Sequence, residues 1–477
     1  MTNRSPGARA RAQLSHPVVD ADGHSQEYVP AIDAYLRKQG IDVGVHELIT
    51  GLLGPDAHRW ATLSSQERAS VRALRPPWWA MPTKNTLDFA TATIPGLLES
   101  RMDELGIDFG VVYPTLALGF PSIQNDELRL AACRALNAYH ADLYAEHHRR
   151  ITPVALIPMH TPQEAIAALE HAVGELSLRA IMIASYVSRP IAAVAERAPE
   201  LAPYAQWIDT YGLDSAYDYD PFWRRCQELG VSLATHGSGM GWSSRRSISN
   251  YMYNQIGHFA SVGEALAKSL FMGGVTRRFP KLRFAFLEGG VAWACTLLAD
   301  QLSHWRKRNP TMLGNYDPAA LDRDGLDALF AQHAGSRRWK TEGTGWVMRG
   351  AGSAPVDDWA ALDVKDEADL VELFVPRFYF GCEADDPMTG TAFNTRVNPF
   401  GTRLRAMLGS DIGHWDVPDM REVVGELLEP IEKGWLTADD VRAFAFENPV
   451  RFYTDTNPRF FEGTAVEGEA RRLLASS

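Results

Sequence analysis

Eight short apolar runs constrain this chain more than any other feature: residues 17–22, 109–113, 151–157, 180–184, 231–235, 282–287, 378–380 and 407–408. Each stays apolar until its exit, the pattern of a parallel strand covered on both faces. Helical patterns lie between most of them. Residues 127–148 carry apolar positions at helical spacing, Thr161 and Pro162 open a helix to 176, and Asp220-Pro221 open another that stops at Gly230. Residues 262–271 and 291–305 continue the alternation; 420–433 and 437–453, the latter capped by Thr437, complete it. Such alternation leaves a closed barrel or an open doubly wound sheet, and eight strands in 477 residues favour the barrel. The predicted fold is α/β, a (β/α)8 TIM barrel over residues 17–460. Insertions at about 25–95, rich in Trp and Pro, and about 306–375, polar and Gly/Asp-rich, are expected over the C-terminal face of the barrel, where loops frame a pocket. Residues 1–16 read as a disordered tail and 461–477 as a second tail.

A formal charge of −12 argues against a nucleic-acid partner. The four cysteines are far apart and form no CxxC pair, which excludes a disulfide scaffold and a thiolate zinc site and fits a reducing cytoplasm. The first fifteen residues lack the apolar core of a secretory signal. No run approaches the roughly 18 apolar residues of a membrane span. A cytoplasmic enzyme acting on a small molecule is the expectation.

Three strand exits carry the chemistry. The first reads Asp20-Ala-Asp22-Gly-His24; side chains two apart on a strand point the same way, so Asp22 and His24 can grip one ion. The fifth ends in Thr235-His236, followed by small residues that leave room. The eighth exits as Ser410-Asp411-Ile-Gly-His414-Trp-Asp416. Each piece alone reads equally as a rim hydrogen bond or a helix cap. Together they make a mixed N/O set for one divalent metal ion, Zn2+ foremost, with Mn2+ or Fe2+ as alternatives.

These motifs resemble those of the amidohydrolase-related family, the branch of the amidohydrolase superfamily that includes aminocarboxymuconate semialdehyde decarboxylase-like enzymes and metal-dependent hydrolases. The resemblance rests on Val19–Glu27 (VDADGHSQE), Arg75-Pro-Pro-Trp-Trp79, Arg101–Asp108 (RMDELGID), Gly274–Leu282 (GVTRRFPKL), Phe286–Trp293 (FLEGGVAW), Cys382-Glu383, Ser410–Asp416 and Glu447–Tyr453 (ENPVRFY), spread over most of residues 17–453. It implies a barrel holding a single divalent metal on Asp22, His24, His236 and Asp411, and a homodimer. Two departures stand out. The first ligand pair is Asp-x-His rather than His-x-His, and the sixth strand ends in Leu287-Glu288-Gly289-Gly290, where better-known decarboxylase members carry a histidine.

Other polar residues have two readings each. Glu288 is a proton shuttle with a raised pKa or an anchor for loop backbone or a ligating imidazole. His258 reaches the pocket or merely starts a helix; Glu27 supports His24 or caps a loop. His414 touches substrate or holds Asp411. Glu383, with Asp386, contacts substrate or is a solvated acid, and Trp78 and Trp79 wall the pocket or pack elsewhere. His140, His147 and His148 read as solvated or interface residues. The leading function is a metal-dependent hydrolase acting through an activated water on a cyclic or aromatic carbonyl substrate, with Asp411 as the proton acceptor. The alternative is a metal-dependent non-oxidative decarboxylase (carboxy-lyase) of an aromatic or enoic acid; a non-catalytic barrel is the third class.

Overall fold

The structure, a computed structural model, describes residues 4–49, 52, 54, 56–77, 84–343 and 357–476. Its strands in chain order are β1 (Val19–Ser25), β2 (Phe109–Pro114), β3 (Ile151–Ile157), β4 (Ala180–Ile183), β5 (Val187–Pro190), β6 (Gln206–Asp209), β7 (Leu233–Thr235), β8 (Phe284–Phe286), β9 (Phe378–Cys382) and β10 (Arg405–Leu408). All but β5 and β6 form one parallel sheet ordered β1-β2-β3-β4-β7-β8-β9-β10. The residues after β10 close it: Asp411 N–H donates to the Asp22 carbonyl (2.9 Å) and His24 N–H to that of Ile412 (2.7 Å). The result is the expected (β/α)8 barrel.

Burial on both faces explains the unbroken apolar runs. Met182, Ala234, Ala285, Tyr379 and Met407 belong to one core cluster inside the barrel. Their chain neighbours Ile181, Ile183, Leu233, Phe284, Phe286, Phe378, Phe380 and Leu408 pack in a second cluster under helices such as Pro162–Glu170, His258–Met272 and Ala292–Arg308. Alanines mixed with larger side chains inside, and aliphatic and phenylalanine side chains outside, suit a narrow cylinder wrapped by helices. Thr161 caps the Pro162 helix as expected, accepting from Glu164 N–H (3.1 Å).

Both termini differ from their reading as tails. Pro6–Arg11 is a helix capped by Ser5, with Gly7 donating to the Arg421 carbonyl (2.8 Å) and Arg11 paired with Asp108. A Cβ at Gly7 would lie 2.2 Å from the Leu105 carbonyl oxygen, so glycine permits the contact. At the other end Glu467–Ala475 is a helix that buries Ala470 and Leu473, preceded by Phe460 stacked on Tyr453 at 4.1 Å. Short segments with little hydrophobic pattern of their own are ordered here by tertiary contacts. The antiparallel pair β5/β6 was not anticipated either; its strands are too short and too polar to signal. Among the described residues no helix is long and apolar enough to cross a membrane.

His140 also departs from its solvated reading. It lies on the barrel-facing side of the Asp126–Leu143 helix, fully buried, with Nδ1 3.0 Å from the Val154 carbonyl. Its neighbours on the following turns behave as read: His147 pairs with Glu99 and His148 is exposed. Burial pushes His140 from 6.5 down to about 4. Between those values the unfolded chain binds a proton that the native ring refuses, so stability falls as the pH drops through this window. By pH 4.5 this single site is expected to cost roughly 2–3 kcal/mol relative to pH 7. Urea titrations at both pH values should show a smaller drop for His140→Asn; an equal drop would locate the acid sensitivity elsewhere.

Candidate metal centre

The C-terminal ends of four barrel strands converge. β1 delivers Asp22 and His24 from within the strand, helped by a bulge that places one extra residue between Asp20 (opposite Gly110) and Gly23 (opposite Val112). His236 follows β7, Glu288 follows β8, and Asp411 and His414 follow β10. Glu288 (φ 53°) and Asp411 (φ 50°) both sit in the left-handed region, backbone strain held in place by surrounding contacts at the turns that aim these carboxylates. Gly413 (φ 96°) is required outright, since a Cβ there would stand 2.4 Å from the His24 carbonyl oxygen.

The distances define one cluster. His24 Nε2 lies 3.5 Å from Asp22 Oδ1 and 3.4 Å from Asp411 Oδ1. His236 Nε2 lies 3.9 Å from Asp22 Oδ1 and 2.9 Å from Glu288 Oε2. His414 Nδ1 lies 2.6 Å from Asp411 Oδ1 and 3.7 Å from Glu288 Oε1, and its ring stacks on His24 at 3.6 Å. His24 Nδ1 is 3.2 Å from the Pro114 carbonyl. A carbonyl only accepts, so Nδ1 carries the hydrogen and the Nε2 lone pair faces the cluster. Among the described residues three groups of atoms lie close enough to hold a cation: Asp22, His24 and His236; His24, Glu288, Asp411 and His414; and Glu383, Asp411 and Asp416.

Electrostatics favour a cation among the first two of these groups, which share His24. Asp22 Oδ1, His24 Nε2 and Asp411 Oδ2 are buried without hydrogen-bond partners, a costly state for polar atoms unless something positive completes them. Burial, then the charges of Glu288 and Asp20, drive Asp22 well above the usual carboxylate range; burial and Glu288 do the same to Asp411. Burial, then His414 and His236, holds His24 well below the usual imidazole value, so it is neutral, as a ligand must be. Burial alone would lower His414, but Asp411 and Glu288 override it and hold the ring protonated. The same exchange works on Glu288: burial would raise it, and His236 and His414 pull it well below the ordinary range. The donor atoms of Asp22, His24 and His236 therefore fit one divalent cation, and Asp411, which meets His24, belongs to the adjoining group with Glu288 and His414.

Two contributors were not singled out from sequence. Asp20 accepts from the Ser410 N–H (2.9 Å) and hydroxyl (2.6 Å) and from Asp22 N–H (3.2 Å), tying the β1 and β10 exits together. Burial raises it to about 6 against those bonds. Its only sequence signal was the spacing Asp20-x-Asp22. Tyr113, the penultimate residue of β2, places its ring near both His24 (6.1 Å) and His236 (5.9 Å) and nothing in its own segment marks it out.

The remaining candidates separate. Glu27 accepts from Leu116 N–H (3.0 Å) and Ala117 N–H (2.8 Å), the loop-capping alternative. His258 opens its helix buried, with its ring against Phe259 (3.9 Å), and Phe259 meets His236 edge-on at 5.1 Å. Burial lowers His258 to about 4. Glu383 stands at the rim after β9; the surrounding protein, then Asp416, Glu288 and Asp385, raises it to about 7. Trp78 and Trp79 lie outside the described residues.

Comparison with known proteins gives two results. The sequence model of the amidohydrolase family matches residues 56–338, a span that contains His236 and Glu288 but not Asp22, His24 or Asp411. Among solved structures, an amidohydrolase from Mycobacterium avium subsp. paratuberculosis K-10 is similar at TM-score 0.54 and 16% identity, covering 92% of this chain and 98% of its own. A dihydroxybenzoic acid decarboxylase from Polaromonas sp. JS666, determined with manganese and the inhibitor 2-nitroresorcinol, is similar at TM-score 0.51 and 14% identity, covering 92% and 97%. At these identities the likeness is one of fold.

Proposed function

Because the chain belongs to the amidohydrolase family, we propose that it is a metal-dependent hydrolase of an uncharged cyclic or aromatic carbonyl compound. The observation that carries this reading is the set of buried, unpartnered ligand atoms on Asp22, His24 and Asp411 beside His236. A divalent cation held by these four residues, Zn2+ foremost with Mn2+ or Fe2+ as alternatives, would acidify water and polarise a carbonyl.

The chain's own residues then manage the proton. Asp411 would hold the cation through one oxygen and take the proton from the attacking water on the other, beside the His414 ring. His414, between Asp411 Oδ1 and Glu288 Oε1, passes a proton from Nδ1 towards the leaving group while Glu288 steadies its charge. Asp20 holds Ser410, and through it the turn that carries Asp411. His24 and His236 would supply ring nitrogens to the cation.

Charge on the rim favours hydrolysis over decarboxylation. Asp22, Glu288 and Asp411 pair with histidines, and Glu383, Asp385, Asp386 and Asp416 crowd the same edge. A substrate bringing its own carboxylate meets like charge there, whereas a neutral lactone, ester or amide does not. The second reading, a carboxy-lyase of an aromatic or enoic acid, draws support from the fold shared with the Polaromonas decarboxylase. The deciding experiment loads the purified protein with Zn2+, Mn2+ or Fe2+ and offers lactones, aryl amides and phenolic carboxylates while following acid and CO2. Acid release from neutral carbonyl compounds is expected. CO2 release from the carboxylates alone assigns the second reading. Less than about a tenth of an equivalent of metal after loading, with no turnover, assigns a non-catalytic barrel.

A further inference from the structure

A cavity of about 770 Å3 is built from segments that follow β1, β2, β3, β4 and β7, and therefore lies on the same side of the barrel as the metal centre. Its walls mix apolar and aromatic side chains (Leu48 and Leu128, Tyr186 and Trp242) with polar ones, among them Ser188 of β5 at the hairpin, Glu47 and Arg246. The aromatic wall is fixed. Tyr186 donates its hydroxyl hydrogen to the Ser238 carbonyl (2.8 Å), two residues beyond His236, and meets the Trp242 ring edge-on at 5.4 Å. The hairpin is pinned by the Arg189–Asp209 ion pair at 2.5 Å.

Two polar side chains here are incomplete: the Trp242 ring N–H and, with both of its nitrogens, His160. His160, three residues beyond β3, is 8% exposed and lines the cavity, and neither ring nitrogen has a hydrogen-bond partner. Buried imidazole nitrogens without partners cost free energy, and a satisfied ring would need one acceptor and one donor. The nearby cations cannot serve: Arg129 is held by Glu164 and Asp126, and Arg189 by Asp209 while donating to the His160 carbonyl (3.0 Å). Burial and those two arginines push His160 down to about 3, so the ring is neutral and can both donate and accept.

We propose that this cavity is a subsite for the untransformed part of the substrate, an uncharged aromatic or alicyclic group carrying a hydroxyl or amide that hydrogen-bonds to His160. The proposal rests on the reading of the adjacent metal centre as the reaction centre, but its test does not need turnover. 2-Naphthol, which combines a two-ring body with one hydroxyl, is titrated calorimetrically into metal-loaded protein. Saturable binding is expected in the wild type, weakened about tenfold or more in Ser188→Trp, which fills the space, and about 5- to 10-fold in His160→Leu, with much of the loss restored in His160→Gln. Metal content and melting temperature of each variant establish that the fold persists. Absence of saturable binding in the wild type, or equal affinity in wild type, Ser188→Trp and His160→Leu, overturns the subsite. Naphthol binding that follows these variants in a protein that hydrolyses nothing supports the subsite and counts against the proposed function instead.

Discussion

Asp22→Asn and His236→Ala are each expected to leave the purified protein with less than about a tenth of an equivalent of metal under conditions that saturate the wild type. Turnover should fall with the metal, because the remaining groups can move a proton but cannot acidify the water. A graded control lies one layer out. Asp20 touches no proposed ligand atom; it holds Ser410 and the Asp22 N–H. Asp20→Ala should therefore weaken metal binding by about 10- to 100-fold without abolishing it, the usual penalty for losing a group that orients a ligand. Stability separates this from a packing role. In the metal-free protein burial, and then the crowding by Glu288 and Asp20, raises the Asp22 pKa. Neutral Asn at position 22 should leave the metal-free melting temperature unchanged or higher, whereas a residue needed for packing would lower it. Full metal content in either ligand variant, measured by plasma emission after dialysis, would falsify the ligand assignment.

Arg129→Met should destabilise the fold by about 3–5 kcal/mol, the cost of stranding a buried charge. Arg129 is 0% exposed and binds Glu164 through Nε (2.6 Å) and Nη2 (2.8 Å), Asp126 through Nη2 (2.6 Å) and the Ile123 carbonyl through Nη1 (2.8 Å). It thereby fastens the Asp126–Leu143 helix to Pro162–Glu170 and to the loop after β2. Met matches the aliphatic stem but leaves Glu164, itself nearly buried, without its partner. Adding Glu164→Leu removes the stranded charge, so the double variant should regain much of the lost stability. Thermal and urea unfolding of the three variants checks this. Additive losses would mean the two side chains are not coupled, contrary to their geometry.

The barrel was legible because a strand covered on both faces must be apolar throughout, and eight such runs separated by helices admit few topologies. Phe109–Pro114 and Ile151–Ile157 stand almost where their apolar runs placed them. The site's principal side chains were legible for a related reason: polar residues are rare in strands covered on both faces, so those gathered towards a strand's C-terminal end mark the rim, as Asp22, His24, His236 and Asp411 do. The segments that fell outside this logic are those whose order depends on partners elsewhere. Pro6–Arg11 is helical because Arg421 and Asp108 receive it, and nothing in PGARAR announces either contact. His140 faces inward because its helix turns that side to β3, a rotation that one polar residue in a mixed pattern does not disclose.

Local patterning alone thus determined the alternation of strands and helices, the closed cylinder, and the identity of the side chains at three of its exits, because hydrophobic periodicity is written residue by residue. Tertiary structure decided how those exits meet. It set the bulge in β1, the left-handed turns at Glu288 and Asp411, the anchoring of Ser410 by Asp20, and the β5/β6 hairpin that walls the neighbouring cavity. Each of these depends on distances between residues remote in the chain, and a distance across a closed barrel exists only once the barrel has closed.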